Sequence, residues 1–188
     1  DIEEQPVWSG DVIVVGGGSA GCAAEVAAAR SGARTLVIES QGFFGGTAAA
    51  VLDTMYGFFA PGDENRNVVG GIGWELATGL LERGHAFVRP YTHGAGTGVT
   101  YDPEYLKMAW DALLTSCGAT QLSHTLARAV VIDGGALVGV IIETKAGPAW
   151  VHAHTIVDAS ADAEIAWRSG AALEVPTDER RVQPLTAT

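Results

Sequence analysis

Three glycines, Gly16, Gly18 and Gly21, lie at the fixed positions of a G-x-G-x-x-G motif. In such a motif the first glycine permits a tight turn and the second lets the backbone approach a pyrophosphate. The third allows a helix to pack closely on a strand. A helix that begins at the turn points its free N–H groups and positive dipole end at the phosphates. The motif therefore predicts a dinucleotide site.

The elements that must position this motif are also visible in the sequence. Residues 12–15 form a β-branched apolar run that is typical of a buried strand. A small-residue helix is predicted from Ser19 to about Ser31, and a second strand over residues 34–38 ends at Glu39. An acidic residue about 20 positions after the motif is expected to bind ribose hydroxyls. The alternative is an ordinary βαβ unit that binds no nucleotide.

Composition limits the class of protein. The chain has 188 residues, of which 47% are hydrophobic and 18% charged, so we expect a compact globular fold. Its net charge of −11 argues against nucleic acid and anionic membrane surfaces as partners. The sequence contains no long apolar run and does not open on a targeting signal. We therefore expect a cytoplasmic protein with no nucleic-acid or membrane partner.

Four segments organise the chain. The βαβ unit occupies residues 11–39, and a helical and loop insertion follows at about 48–118. A β meander is expected at about 120–154, because Asp133-Gly134-Gly135 is a strong hairpin signal between two apolar runs. A returning strand and helix follow at 155–170. The predicted fold class is α/β: a Rossmann-like parallel sheet with helices, carrying an inserted antiparallel hairpin or meander.

Other reactive side chains give weaker signals. Cys22 and Cys117 form no C-x-x-C motif, and His152 and His154 alternate on a strand without a third ligand nearby, so we expect no metal site. His93 lies in a glycine-rich segment that could reach an active site, and it is the candidate catalytic residue. The alternative is an exposed loop histidine.

The chain resembles the FAD-dependent oxidoreductases of the two-dinucleotide-binding-domain flavoprotein group, with the FAD-binding fold of the fumarate reductase flavoprotein. The resemblance covers nearly the whole chain, as the N-terminal portion of that fold. It is carried by residues 11–21, by Glu39 with the following Gly42-Phe43-Phe44-Gly45-Gly46, by Tyr101-Asp102-Pro103-Glu104, and by Asp158-Ala159-Ser160-Ala161-Asp162-Ala163. The family form of the last motif is similar to Asp-Ala-Thr-Gly-Asp, so Ser160 and Ala161 depart from it.

The resemblance implies that FAD is the cofactor and assigns residues to its parts. Glu39, with Ser40 beside it, would bind the adenosine ribose. The backbone of Leu126 and Ala127 would face the adenine edge. The remaining residues would lie along the pyrophosphate and flavin: Gly16, Gly17, Gly18, Ser19, Ala20 and Gly21 in the turn, Gly45, Gly46 and Thr47 in the second glycine loop, and Ala159 and Ser160 after the returning strand.

The implied activity is hydride transfer between a small organic substrate and FAD. Because members of this group are much longer, the resemblance also implies a second polypeptide that carries the substrate region and a C-terminal FAD motif. A split gene, a cleaved precursor and a truncation are all open as its origin. Two other functions are open: an NAD-dependent dehydrogenase domain in which Glu39 binds the NAD ribose, and a non-catalytic nucleotide-binding subunit. The loop at residues 45–47 and the inserted hairpins count against the NAD alternative.

Overall fold

The computed structural model describes residues 5–51, 55–60, 66–90 and 97–173. The strands are β1 (Trp8–Val15), β2 (Thr35–Ile38), β3 (Met55–Tyr56), β4 (Ala86–Arg89), β5 (Gly98–Tyr101), β6 (Thr120–Leu122), β7 (Leu126–Asp133), β8 (Ala136–Thr144) and β9 (Gly147–Asp158). The helices are α1 (Ser19–Arg30), α2 (Thr47–Ala50), α3 (Gly71–Glu82), α4 (Pro103–Ser116) and α5 (Glu164–Arg168).

The larger sheet of the described chain has the strand order β6-β2-β1-β9-β8-β7. The first four strands run parallel, and β7 and β8 form the antiparallel hairpin. The central strand β1 has its apolar residues at 13–15 buried from both sides, as expected for a strand with helices or hairpins on each face. The predicted α/β class with an inserted antiparallel hairpin is confirmed.

Strand β9 joins the two parts of this sheet. Its first half pairs antiparallel with β8, and its second half continues alongside β1 in parallel. The sequence suggested a boundary near residue 154 between the meander and the returning strand, but the backbone is continuous there. The pairing also extends β1 back to Trp8, beyond the apolar run at residues 12–15 that the sequence indicates.

Side chains alternate between the two faces of the sheet, as the two-residue period of a strand requires. Val14 and Val37 face a core built with α1 and α4, in which Leu106, Trp110 and Leu114 are fully buried. Ile13 and Ile38 face the opposite core, which the hairpin and α5 cover.

The segment at 48–118 holds more β structure than its sequence indicates. Strands β3, β5 and β4 form a small antiparallel sheet in that order, beside helices α3 and α4. Helix α4 begins with Pro103 in its first turn, and the Asp102 side chain accepts a hydrogen bond of 2.9 Å from the Glu104 N–H. Within the described part of the chain, no helix is long and apolar enough to span a membrane.

Candidate functional site

The turn between β1 and α1 is built from glycines for steric reasons. Gly16 has φ +98°, and a Cβ there would overlap the Ala159 carbonyl. The Ala159 N–H donates to the Val15 carbonyl at 2.8 Å, which holds the end of β9 against the turn. A Cβ on Gly21 would overlap the Gly16 carbonyl. These two glycines therefore serve the close packing of strand, turn and helix, and Ala159 and Ser160 lie directly beside them.

Gly18 differs from these two glycines. Its backbone is extended, with φ −70° and ψ −178°, a conformation that any residue can adopt. A Cβ there would meet only the Gly46 Cα, at 3.9 Å, so the space beyond it is open. Helix α1 begins at the next residue, with no side-chain cap and no acidic residue in its first turn. The positive end of the helix dipole therefore opens onto this space, which suits a bound anion.

The second glycine loop lies alongside the first. The Gly45 N–H donates to the Gly17 carbonyl at 2.8 Å, and the Ser19 hydroxyl donates to the Gly45 carbonyl at 3.4 Å. Gly46 has φ +55°, and a Cβ there would lie 2.8 Å from the Gly18 Cα. The predicted residues 45–47 thus reach the glycine turn, with exposed Thr47 opening the short helix α2.

Glu39 projects from the end of β2 toward the turn and is only 7% exposed. Its Oε2 accepts a hydrogen bond from the Gly17 N–H at 2.7 Å. Its Oε1 accepts from the Gln41 N–H at 2.7 Å and from the Ser40 hydroxyl at 3.1 Å. Three donors therefore fix the orientation of this carboxylate beside the glycine turn.

The link between β6 and β7, residues 123–125, lies beside the backbone of Glu39. The Glu39 N–H donates to the Leu122 carbonyl at 2.9 Å, and the Glu39 carbonyl accepts from the Thr125 N–H at 2.9 Å. Next along the chain come Leu126, which is exposed, and Ala127, which is buried. The structure therefore places the predicted adenine-edge residues close to the predicted ribose-binding residue.

Asp158 supports the end of β9. It accepts hydrogen bonds from the Ser160 hydroxyl at 2.6 Å and from the Ala166 N–H at 2.8 Å. Burial acts to raise the pKa of Asp158, but these hydrogen bonds outweigh it and lower the pKa below its ordinary value. The carboxylate therefore stays charged, ties the turn to the first residues of α5, and is committed to structure.

Ala161 carries backbone strain in this turn. It has φ +75°, a left-handed conformation that favours glycine. We predict that Ala161→Gly raises the free energy of unfolding by about 1 kcal/mol. Urea denaturation would measure the change. Ala166→Gly, inside α5, is the control and should lower the free energy of unfolding by about 1 kcal/mol. A loss of stability in Ala161→Gly would contradict the assignment of strain.

Cys22 lies under the glycine turn, yet the site does not activate it. Its thiol donates to the Gly17 carbonyl at 3.1 Å, and burial raises its pKa to about 12. A neutral, buried thiol is a poor nucleophile. Cys22 therefore acts as a small packing residue at the start of α1.

The other candidates lie elsewhere. His152 and His154 neighbour each other on β9, with ring centroids 5.9 Å apart. In the described part of the chain, no three His, Cys, Asp or Glu side chains are grouped as metal ligands would be. His93, the candidate catalytic residue, lies outside the described residues.

Sequence reasoning missed the contribution of Gln41, His124 and Thr125. Their hydrogen bonds to Glu39 and to one another use backbone N–H and C=O groups, which are present at every position and leave no compositional mark. The one available signal was the short polar stretch between two predicted strands. It indicates a loop but does not say which loop it contacts.

A parallel sheet with two glycine loops and a buried carboxylate at its carboxyl edge defines a Rossmann-like dinucleotide-binding protein. The chain belongs to the FAD dependent oxidoreductase family, whose pattern matches residues 11–188. Its cofactor is FAD, and the residues present fit that group. The open space beyond Gly18 and the uncapped helix suit a pyrophosphate, and the buried Glu39 suits a ribose.

Several solved structures share this fold. A geranylgeranyl bacteriochlorophyll reductase-like protein from Thermoplasma acidophilum is 20% identical, with a TM-score of 0.61 over 87% of this chain and 42% of its own. THI4 from Thermovibrio ammonificans is 20% identical, with a TM-score of 0.58 over 85% of this chain and 61% of its own. A flavocytochrome c3 fumarate reductase is 18% identical, with a TM-score of 0.58 over 81% and 34%.

At such low identity these similarities establish the fold alone. This chain spans from about a third to three fifths of the length of the three proteins. No curated protein sequence gave a significant match.

Proposed function

We propose that this chain is the FAD-binding portion of an oxidoreductase that transfers a hydride between a small organic substrate and FAD. The observation that carries the proposal is the convergence of the glycine turn, the second glycine loop and Glu39 at one edge of the sheet. Each of the three would bind a different part of a dinucleotide, and the hydrogen bonds between them would hold them in place for it.

The adenosine half would be bound by residues that follow β2 and by the start of β7. The Glu39 carboxylate has about four acceptor sites, and its three donors leave one of them, on Oε2, which would accept a hydrogen bond from a ribose hydroxyl. Ser40, whose hydroxyl contacts the same carboxylate, would support it. The backbone of Leu126 and Ala127 would read the adenine edge.

The pyrophosphate would lie over the turn at residues 16–21. The first N–H groups of α1 would donate to phosphate oxygens, and Gly18 would allow that approach because it has no side chain. Residues 45–47 would pass close to the pyrophosphate on the flavin side, and Ala159 and Ser160 would close the other side. When bound, FAD supplies the hydride chemistry itself, and this chain contributes binding, orientation and electrostatics.

We also propose that a second polypeptide completes the flavin end of the site and carries the substrate region. Apolar side chains such as Phe87 and Trp167 are exposed on the described surface, as expected where another polypeptide packs. Native mass spectrometry would test it. A second polypeptide in equal amount is expected, whereas a single longer polypeptide containing this sequence would contradict it.

The catalytic function is tested by recording the visible spectrum of the purified protein and then adding candidate substrates without oxygen. We expect a bound flavin spectrum that bleaches with an oxidisable organic substrate. Protein that binds NAD and no flavin would favour the NAD-dependent dehydrogenase alternative. Bound flavin that no substrate or reduced donor can reduce would favour a non-catalytic nucleotide-binding subunit. We also propose that His93 transfers a proton in this reaction. The pH dependence of flavin bleaching should then differ between His93→Gln and the natural protein.

A further inference from the structure

His124 lies outside the glycine motifs and takes a costly conformation. Its φ is +52°, in the left-handed region that residues other than glycine seldom adopt. It is exposed on the link between β6 and β7, so core packing does not explain this strain. Strained residues of this kind persist where the surrounding contacts require them, and they concentrate at binding sites.

Two contacts join His124 to the loop that follows Glu39. Its N–H donates to the Gln41 carbonyl at 2.9 Å. Its imidazole ring packs on Gly42, where an added Cβ would lie 2.6 Å from two atoms of the ring. Gly42 has no positive φ, so the close neighbour of an added Cβ is the ring of His124, which that Cβ would displace.

The Gln41 peptide is therefore held on both sides. Its N–H donates to Glu39 Oε1 at 2.7 Å, while its carbonyl accepts from the His124 N–H. The adjacent Thr125 N–H binds the Glu39 carbonyl at 2.9 Å. A shift of residue 124 would move Gln41 and remove one of the three donors that orient the Glu39 carboxylate.

We propose that His124 is a positioning residue for the adenosine half of FAD: its ring on Gly42 and its N–H on Gln41 hold the loop that orients Glu39. The inference rests on the proposed role of Glu39 in ribose binding. His124 would therefore affect the affinity for the cofactor without contacting the cofactor itself.

The test compares His124→Asn, Gly42→Ala and the double variant. Asparagine tolerates the left-handed conformation but lacks the ring, so it removes the contact without adding strain. Alanine at 42 displaces the ring from the other side. We expect each single variant to weaken binding of both FAD and ADP about tenfold. ADP carries the adenosine and pyrophosphate without the flavin, so a shared loss places the effect in the adenosine half.

The double variant should bind FAD no more weakly than the weaker single variant, because both substitutions break the same contact. Hydrogen exchange of the Gln41 amide should be about tenfold faster in both single variants, whether or not cofactor is present. His154→Asn, an exposed histidine on β9, is the matched control and should change neither quantity. Additive losses in the double variant, or unchanged exchange at Gln41, would overturn the proposal.

Glu39→Ala separates this inference from the proposed function. If Glu39→Ala weakens FAD binding and His124→Asn does not, the adenosine site stands and the positioning role is wrong. If Glu39→Ala itself leaves FAD and ADP binding unchanged, the proposed ribose site is wrong.

Discussion

A single methyl group at position 18 should strongly weaken FAD binding while leaving the fold intact. The Gly18 backbone is extended, and the nearest atom to an added Cβ is the Gly46 Cα at 3.9 Å. Alanine therefore fits the protein without strain. The same methyl would occupy the space in which a pyrophosphate must approach the first N–H groups of α1. We expect Gly18→Ala to weaken FAD binding about 100-fold, equivalent to about 2.7 kcal/mol.

Two measurements on the purified holoprotein, with any copurifying polypeptide, check this expectation. The dissociation constant follows from quenching of flavin fluorescence after cofactor removal and titration. The free energy of unfolding of the apoprotein follows from urea denaturation. Gly79→Ala, in the interior of α3, is the control: its Cβ meets only the flexible end of Arg83, and it should retain full FAD affinity. Full affinity in Gly18→Ala would mean that the phosphates bind elsewhere.

Gly21→Ala should behave differently, although it belongs to the same motif. Its Cβ would overlap the Gly16 carbonyl, a backbone atom that cannot move without shifting the turn. We expect this substitution to lower the free energy of unfolding of the apoprotein, with loss of FAD as a consequence. The pair would separate the two roles that one motif combines, namely ligand approach at position 18 and helix packing at position 21.

The elements predicted well from the sequence are those fixed by local signals. The β-branched run before Gly16, the small-residue helix after it and the Asp133-Gly134-Gly135 turn each specify structure within a few residues. The small β3-β5-β4 sheet was missed, because its pairing depends on strands far apart in the chain. The continuity of β9 was also missed, since its two halves pair with different neighbours and the sequence does not show where the partner changes.

The candidate site divides in the same way. Gly16, Gly18, Gly21 and Glu39 could be located because a dinucleotide imposes fixed spacing on side-chain type. The backbone bonds from residues 122–125 to Glu39 and Gln41 could not, because any sequence can supply them. The sequence also gave no reason to expect the strain at His124, which follows from two loops meeting only in the folded chain.

Glu25 is an unusual residue to find on the buried face of a helix. It lies on the buried face of α1 together with Gly21, Cys22 and Val26, and its exposed fraction is 0%. Among the described residues, no group makes a hydrogen bond of good geometry to either carboxyl oxygen. Burial raises the pKa of Glu25 from 4.5 to about 7, and the nearby Thr35 hydroxyl offsets part of this effect.

This pKa implies a pH-dependent stability. Between pH 4.5 and about 7 the folded protein keeps a proton on Glu25 that the unfolded chain releases. The free energy of unfolding contributed by this group therefore falls as pH rises through that window and is constant above it. The full change is about 3 kcal/mol, from 1.36 kcal/mol per pKa unit. The contribution of Glu25 therefore makes the protein more stable near pH 5 than near pH 8.

Glu25→Gln should remove this dependence, because the amide has a similar shape and never ionises. We expect the variant and the natural protein to have similar free energies of unfolding at pH 5, and the variant to be about 3 kcal/mol more stable at pH 8. Urea denaturation at several pH values would measure the difference between the two proteins, in which the contributions of the other titrating groups cancel.

Glu75→Gln is the control with the opposite sign: Arg30 lowers the pKa of Glu75, so losing that carboxylate should slightly reduce stability at pH 8. If the free energies of unfolding of Glu25→Gln and the natural protein change in parallel with pH, Glu25 is already ionised in the folded protein. A hydrogen-bond donor or a cation must then contact its carboxylate.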